Sequence, residues 1–292
     1  MFVSEKAYAK VNLWLGVSGL RGDGYHDIVT VMHSVSLADD IMLRADADPR
    51  GFSCILEADG AYEVPEGDDN IAVKAARAFC EKTGIGAAVT IRLVKNIPTC
   101  AGLAGGSSDA AAVLRAINKR FSEPLSVSEL EELAIGLGSD VPFCLHGGTA
   151  LCLGRGEKMT RLGCPDLDFV ICPSPERVST GMAYAKLDER WLPCGYPDTA
   201  SCNELIVSLS AGAAECGRRL YNIFQDVVIP LCLVSGENIS RLRSLGACGA
   251  VMSGSGSAVY GIFETRRKAE AAAEKIPGAV CVSSAGESIG YD

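Results

Sequence analysis

Along this chain the spacing of hydrophobic and polar positions changes period several times, and each change predicts an element. Residues Ala7–Gly16 (AYAKVNLWLG) alternate as a β-strand does, with Lys10 and Asn12 on the same face as Tyr8 and Trp14. Ile28–Leu37, Asp40–Leu43 and Phe52–Leu56 read as further strands, and the β-branched run Ala88–Val94 as another. From Asp68 the spacing is helical through Cys80, with Gly84 as the stop signal. A second helix is expected over Ala110–Asn118, with Ser107, Ser108 or Asp109 as its N-cap. A third covers Ser126–Leu137, opened by a Ser126/Glu129 capping box, and Gly147–Leu153 returns to strand.

Glycines and a proline between Arg155 and Asp168 interrupt this pattern, which suggests two domains, 1–158 and 159–292. Beyond the break, Phe169–Cys172 reads as a strand and Thr180–Leu187 as a short helix. Asn203–Leu220 and Gly236–Leu245 read as helices, and Ala250–Phe263 as strand, Gly/Ser turn, strand. A helix over Thr265–Lys275 and a strand over Ala279–Val282 follow. That order predicts a split βαβ, ferredoxin-like α+β layer.

Composition narrows the function classes. The 292 residues are 48% hydrophobic and 22% charged, an ordinary globular profile, and a net charge of −9 argues against a nucleic-acid surface. No run has the length of a membrane span or the apolar core of a secretion signal. Thirteen cysteines without a Cys-x-x-Cys pair fit free thiols in a reducing cytoplasm, the expected location.

Candidate chemistry concentrates in Lys95-Asn-Ile-Pro-Thr-Cys-Ala-Gly-Leu-Ala-Gly-Gly-Ser-Ser-Asp109, a glycine loop between a strand and a helix start. Such a loop lets the backbone approach a ligand closely, and free N–H groups plus the helix dipole favour phosphate oxygens. It lacks the Gly-x-x-x-x-Gly-Lys-Ser/Thr pattern, so it is not a Walker loop. Taken alone, a strand–helix turn with no ligand is an equal reading. Arg21-Gly-Asp-Gly-Tyr-His-Asp27 is a turn with an aromatic and a histidine at its exit, and Asp140 sits in a turn pinned by Pro142. Lys10 and Asn12, two apart, most often mark a solvated face.

Three blocks in order, Ala9-Lys-Val-Asn-Leu13, Pro98…Gly-Leu-Ala-Gly-Gly-Ser-Ser-Asp109 and Met252-Ser-Gly-Ser-Gly-Ser257, resemble the GHMP superfamily of small-molecule kinases, which includes galactokinase, homoserine kinase and mevalonate kinase. Asp23-Gly-Tyr-His26 and Ser139-Asp-Val-Pro-Phe143 narrow the resemblance to a branch whose substrate carries cytidine diphosphate. It covers nearly the whole chain, from Lys6 to about Phe263.

The resemblance implies an N-terminal domain like domain 2 of ribosomal protein S5 and a ferredoxin-like C-terminal domain. It implies transfer of the ATP γ-phosphoryl group to the 2-hydroxyl of a methylerythritol moiety, with Mg²⁺ bridging the phosphates. Pro98, Thr99, Cys100, Ala101, Gly102, Leu103, Ala104, Gly105, Gly106, Ser107 and Ser108 would wrap those phosphates, with Asn70 and Lys95 near the adenosine. Asp140 would be the base, Lys10 would lie between it and the hydroxyl, and Asn12 would orient the substrate. Ser108 is the candidate Mg²⁺ ligand.

Tyr25 would stack on cytosine, His26 would hydrogen-bond it, and Tyr184 would close the opposite face. Thr180 would meet the sugar or diphosphate, and Gly254 and Ser255 would cover the reacting end. A small-molecule partner is implied, with no nucleic acid or membrane and a monomer or weak homodimer. Phosphorylation of another alcohol, as by homoserine or mevalonate kinases, and a non-catalytic ligand-binding protein remain as alternatives. Cys100 and Ala104 stand where the family often has glycine, which is tolerable if φ stays negative there.

Overall fold

The computed structural model describes residues 1–288. Alternation in the N-terminal half produces longer strands than the sequence pattern suggests: β1 (Val3–Leu20), β2 (His26–Ala47), β3 (Ser53–Gly60) and β4 (Ala87–Lys95). The two strands expected over 28–37 and 40–43 are one. β2 runs between two neighbours, pairing with β1 along most of its length and with β4 over Asp40–Ala47. Its first half instead pairs with β5 (Thr149–Gly154), which continues into β6 (Lys158–Leu162).

Four helices complete this half: α1 (Ile71–Thr83), α2 (Gly105–Arg120), α3 (Val127–Leu137) and α4 (Val141–His146). Asn70 caps α1, accepting from the Ala72 N–H at 2.8 Å, and Gly84 closes it at φ 69°. The Ser126/Glu129 capping box opens α3 as expected. Helix α2 is the central one. Its alanine-rich face lets it lie close on the sheet, where Ala110, Ala111, Ala112 and Leu114 are fully buried.

In the C-terminal half β7 (Asp168–Cys172), β9 (Gly249–Met252), β10 (Val259–Phe263) and β11 (Val280–Ser283) form an antiparallel sheet in the order β11-β7-β10-β9. That is the ferredoxin-like arrangement the element order implies. Its helices are α5 (Thr180–Trp191), α6 (Cys202–Ser208), α7 (Ala213–Arg218), α8 (Gln225–Val228), α9 (Leu233–Ser244) and α10 (Arg266–Ala273). The single helix expected over 203–220 is two, because Gly212 at φ 92° breaks it.

The pattern also misses a short strand, β8 (Tyr221–Asn222), which leaves the C-terminal half and adds in parallel to β1 at Trp14 and Leu15. The Trp14 ring packs on Tyr221, with centroids 5.1 Å apart. No helix among the described residues is long and apolar enough to cross a membrane, and every described cysteine is a free thiol.

His33 ties the two halves together from inside. Its Nδ1 faces the Thr149 hydroxyl on β5 at 2.8 Å, and its Nε2 faces the Ser284 hydroxyl beyond β11 at 2.8 Å. Burial pushes this imidazole down to about 3 from an ordinary 6.5. Between those values the unfolded chain binds a proton that the folded chain refuses, so stability is present above about pH 6.5 and is lost as pH falls. From pH 7 to pH 5.5 the wild type should lose about 1 kcal/mol more than His33→Gln in urea-unfolding free energy. Equal losses would mean that His33 titrates normally in the folded protein.

Candidate active site at the glycine loop

From Thr99 to Ala104 the loop is fastened by its carbonyls. The Lys10 N–H donates to the Leu103 carbonyl at 3.1 Å, and the Ala258 N–H donates to Ala101 at 3.2 Å. The Gly102 carbonyl accepts from Lys10 Nζ at 3.3 Å and from Ser253 Oγ at 2.9 Å. Among the described residues, no backbone N–H from Thr99 to Ser107 donates to the protein. A run of unpaired donors leading into a helix N-terminus is an anion site in waiting.

Helix α2 starts at Gly105, earlier than expected, and its cap is Ala104 with no side-chain bond. Ser107, Ser108 and Asp109 lie inside its first turns. Leaving the cap position without a side-chain acceptor keeps the first N–H groups available. On the other side, Pro98–Ala101 line a cavity of about 160 Å³ with Tyr62, Pro173–Arg177 and Ser257.

Cys100 and Ala104 adopt φ of 55° and 57°, so the negative φ expected of them is not what the loop uses. Left-handed backbone costs a side chain about 1–2 kcal/mol. Glycine is needed outright at two neighbours. A Cβ on Gly102 would sit 2.1 Å from the Ser253 carbonyl oxygen, and one on Gly254 would sit 2.9 Å from that of Gly102. These glycines let the C-terminal turn close on the loop.

Two residues expected at the nucleotide have their side chains engaged within the protein. The buried Lys95 ammonium is engaged by Asp39 and, at 2.7 Å, by Asp109. Asp39 also accepts the N–H groups of Asn96 and Ile97 at 2.6 and 2.8 Å, which fixes where the loop leaves β4. Burial pushes the Asp109 carboxyl up against the pull of Lys95, and its Oδ1 is buried without a partner. Gly105 packs onto this group, since a Cβ there would lie 2.9 Å from Lys95 Nζ.

Ser108 is the second. Its hydroxyl is buried and donates to the Tyr8 carbonyl at 2.6 Å. Asn70 likewise uses both ends of its amide, the cap on α1 and a bond to the Pro65 carbonyl at 2.9 Å.

Lys10 and Asn12 are buried, not on a solvated face. Register shifts in β1 between Tyr8 and Lys10 and between Asn12 and Trp14 bracket the segment, and such bulges re-aim side chains. Lys10 Nζ donates to Asn12 Oδ1 at 2.7 Å and lies 3.5 Å from Asp140 Oδ2. The Asn12 amide donates to Thr30 Oγ1 at 2.8 Å, a partner the sequence pattern did not single out. Asp140 holds the N-cap position of α4, yet its side chain makes no capping bond. An aspartate there normally spends its carboxylate on the helix; this one, one-third exposed, faces Lys10.

The residues expected around cytosine form a separate group. Tyr184 stacks on His26, with ring centroids 4.5 Å apart and planes 26° apart, and touches Phe224 edge-on. Tyr25 is exposed and carries the Arg155 guanidinium 3.5 Å above its ring, so the protein already covers one face of each tyrosine. Burial first, then the carboxylates of Asp140 and Asp188, push the Tyr184 phenol up to about 12. Tyr184 thus lies in the field of both groups. At the start of α5, Thr180 Oγ1 is 3.1 Å from Ser255 Oγ on the C-terminal turn.

Comparison with known proteins identifies the family. Residues 70–148 match the model for the N-terminal domain of GHMP kinases, and residues 202–282 match the model for their C-terminal domain. The 4-diphosphocytidyl-2-C-methyl-D-erythritol kinase of Caldicellulosiruptor saccharolyticus is 41% identical over 93% of this chain and 91% of its own. That of Acetivibrio thermocellus is 38% identical over 91% and 92%. The chain belongs to the 4-diphosphocytidyl-2-C-methyl-D-erythritol kinase family.

A crystal structure of a 4-(cytidine 5'-diphospho)-2C-methyl-D-erythritol kinase superposes with a TM-score of 0.80 at 33% identity, covering 97% of this chain and 100% of the other. Homoserine kinase from Cytophaga hutchinsonii superposes at 0.72 with 18% identity over 97% and 95%, a likeness of fold alone. GHMP kinases are ATP-dependent phosphotransferases, which fits a loop of unpaired donors. Thr30, Asp39, Asp188 and Tyr196 escaped the sequence reading. The first two act through side chains far along the chain, and no local motif marks the others.

Because Cys100 and Ala104 hold left-handed backbone, Cys100→Gly and Ala104→Gly should each stabilise the fold, the latter against some lost packing of the Ala104 methyl on the core. Relief of about 1–2 kcal/mol against a glycine entropy cost of about 0.5–1 kcal/mol leaves a gain of about 0.5–1 kcal/mol. Urea midpoints measure it, and a loss in either variant would mean that packing of the Cβ outweighs the strain.

Proposed function

We propose that this chain transfers the γ-phosphoryl group of ATP to the 2-hydroxyl of 4-diphosphocytidyl-2-C-methyl-D-erythritol, giving the 2-phosphate and ADP, in isoprenoid biosynthesis that does not pass through mevalonate. One observation carries the reading. The Asp140 carboxylate, spared from capping α4, faces the buried Lys10 ammonium at the same Gly102 carbonyl that anchors the row of unpaired N–H groups. A proton acceptor, a cation and an anion cradle thus meet at one point, which is what in-line phosphoryl transfer to an alcohol requires.

In this reading Thr99–Ser107 hold the phosphates through their backbone and Asp140 takes the hydroxyl proton. Lys10 stabilises charge on the attacking oxygen, and Asn12, held by Thr30, orients the substrate. Gly254 and Ser255 cover the reacting end beside Thr180. Residues 1–158 carry the nucleotide loop and residues 159–292 the covering turn and Tyr184. Mg²⁺ would arrive with the nucleotide. The described residues build no dedicated cage for it: Ser108 is turned away, and no three His, Cys, Asp or Glu side chains group to hold a metal. Phosphate oxygens and water are its natural ligands. The free thiols fit a cytoplasmic location.

An ATP-consumption assay over a panel of alcohols tests the reading. Turnover is expected with the cytidine diphosphate substrate and not with homoserine or mevalonate; the reverse would move the protein to another GHMP activity. Asp140→Asn should lower kcat by about 10²-fold or more with ATP binding little changed. Lys10→Ala should act similarly and non-additively with it. Near-normal kcat in Asp140→Asn would leave Asp140 a turn residue.

The aromatic group makes a separate expectation. Tyr25→Ala and Tyr184→Ala should each raise the KM for the cytidine substrate by about 5- to 150-fold, a loss of about 1–3 kcal/mol of stacking. The KM for ATP should stay where it is, and an unchanged substrate KM in both variants would remove the tyrosines from the site.

A further inference from the structure

We infer that Asp188, with Tyr196, fixes the His26 imidazole as a hydrogen-bond acceptor at Nδ1, and so makes the site select a base with an exocyclic amino group over one with a carbonyl there. The inference rests on the cytidine reading above and adds a positioning residue to it.

His26, the first residue of β2, has a side chain only 7% exposed, and its Nε2 lies 2.7 Å from Asp188 Oδ1 on α5. The Tyr196 hydroxyl donates to that same oxygen. Burial, then Asp188 itself, pushes the Tyr196 phenol up, so it stays a donor. An ionised carboxylate only accepts, and the contact therefore requires the proton of a neutral imidazole to sit on Nε2. The lone pair is left on Nδ1.

Geometry holds this edge in place. Tyr184 stacks on one face of the imidazole, and Tyr196 meets it edge-on at 6.2 Å between centroids with planes 88° apart. Among the described residues Nδ1 has no hydrogen-bond partner, and it is not one of the buried atoms left without one, so it reaches solvent. His33 is the useful contrast. Both its nitrogens face hydroxyls inside the protein, and neither is left outward. At His26 the partner is a carboxylate and the other nitrogen is outward.

Cytosine presents an amino donor where uracil presents a carbonyl acceptor. Against a bare Nδ1, the amino group makes a hydrogen bond, whereas the carbonyl sets two lone pairs against each other. An unpaired polar group of this kind costs far more than a lost methylene contact.

Two measurements on the intact enzyme test this. The chain has three histidines, so ¹⁵N imidazole signals can be assigned by single substitutions. In the wild type at neutral pH the His26 Nδ1 signal should be that of an unprotonated nitrogen and Nε2 that of a protonated one. In Asp188→Ala the two should average toward a tautomer mixture. In parallel, inhibition by CMP and UMP is compared. Asp188→Ala should reduce the preference for CMP by about tenfold, from weaker CMP binding, with the KM for ATP unchanged. Tyr196→Phe should shift it in the same direction by less.

A protonated Nδ1 in the wild type, or an undiminished CMP preference in folded Asp188→Ala, would overturn the assignment. If the wild type binds CMP no better than UMP while its Nδ1 is bare, the cytidine reading is what fails, and the selective role fails with it.

Discussion

The active site depends on one constraint: the glycine loop must be held firmly without using its own N–H groups. From Thr99 onward every fastening falls on the acceptor side. Lys10 and Ala258 donate to loop carbonyls, Lys10 Nζ and Ser253 share the Gly102 oxygen, and Asp39 secures the two amides just before the donor run begins. Charge follows from the same need. The lysine within the loop sequence is turned inward to neutralise Asp39 and Asp109, so the field that meets an anion comes from backbone dipoles and the start of α2. In a chain of net charge −9, local dipoles provide attraction that the overall charge does not.

This division of labour explains which parts of the site were legible in the sequence. The loop, its capped neighbours and the ferredoxin-like order of the second half follow from glycine positions and from changes of period, which are local signals. Lys10 and Asn12 were legible only through the resemblance, because alternation alone put them on a solvated face. Bulges on either side re-aim them, and a bulge leaves no mark in a hydrophobic pattern. The partners of Lys95 and Ser108 were hidden for a related reason. Each has the chemistry for a nucleotide contact, and its partners from β2, α2 and the Tyr8 carbonyl are distant in sequence.

The aromatic group teaches the complementary lesson. Tyr25, His26 and Tyr184 could be named from motif and resemblance, yet the groups that orient them could not. Arg155 over Tyr25 and Asp188 against His26 come from loops and helices with no motif of their own. Orientation is a property of contacts between elements, and a single sequence does not display it.

The short strand β8 gives the two halves a relationship that their separate cores conceal. It lies along β1 at Trp14 and Leu15, two residues beyond Asn12, and Tyr260 from the second sheet donates to the Asn12 carbonyl at 2.7 Å. The edge of the strand that bears Lys10 is thus finished by residues more than two hundred positions later in the chain. A ribosome makes those residues more than two hundred positions after the strand itself, so the strand waits with an open edge over that stretch of synthesis. For recombination between relatives the halves are therefore poor interchangeable modules: a crossover near residue 158 must carry Tyr221 and Tyr260 as faithfully as any ligand contact.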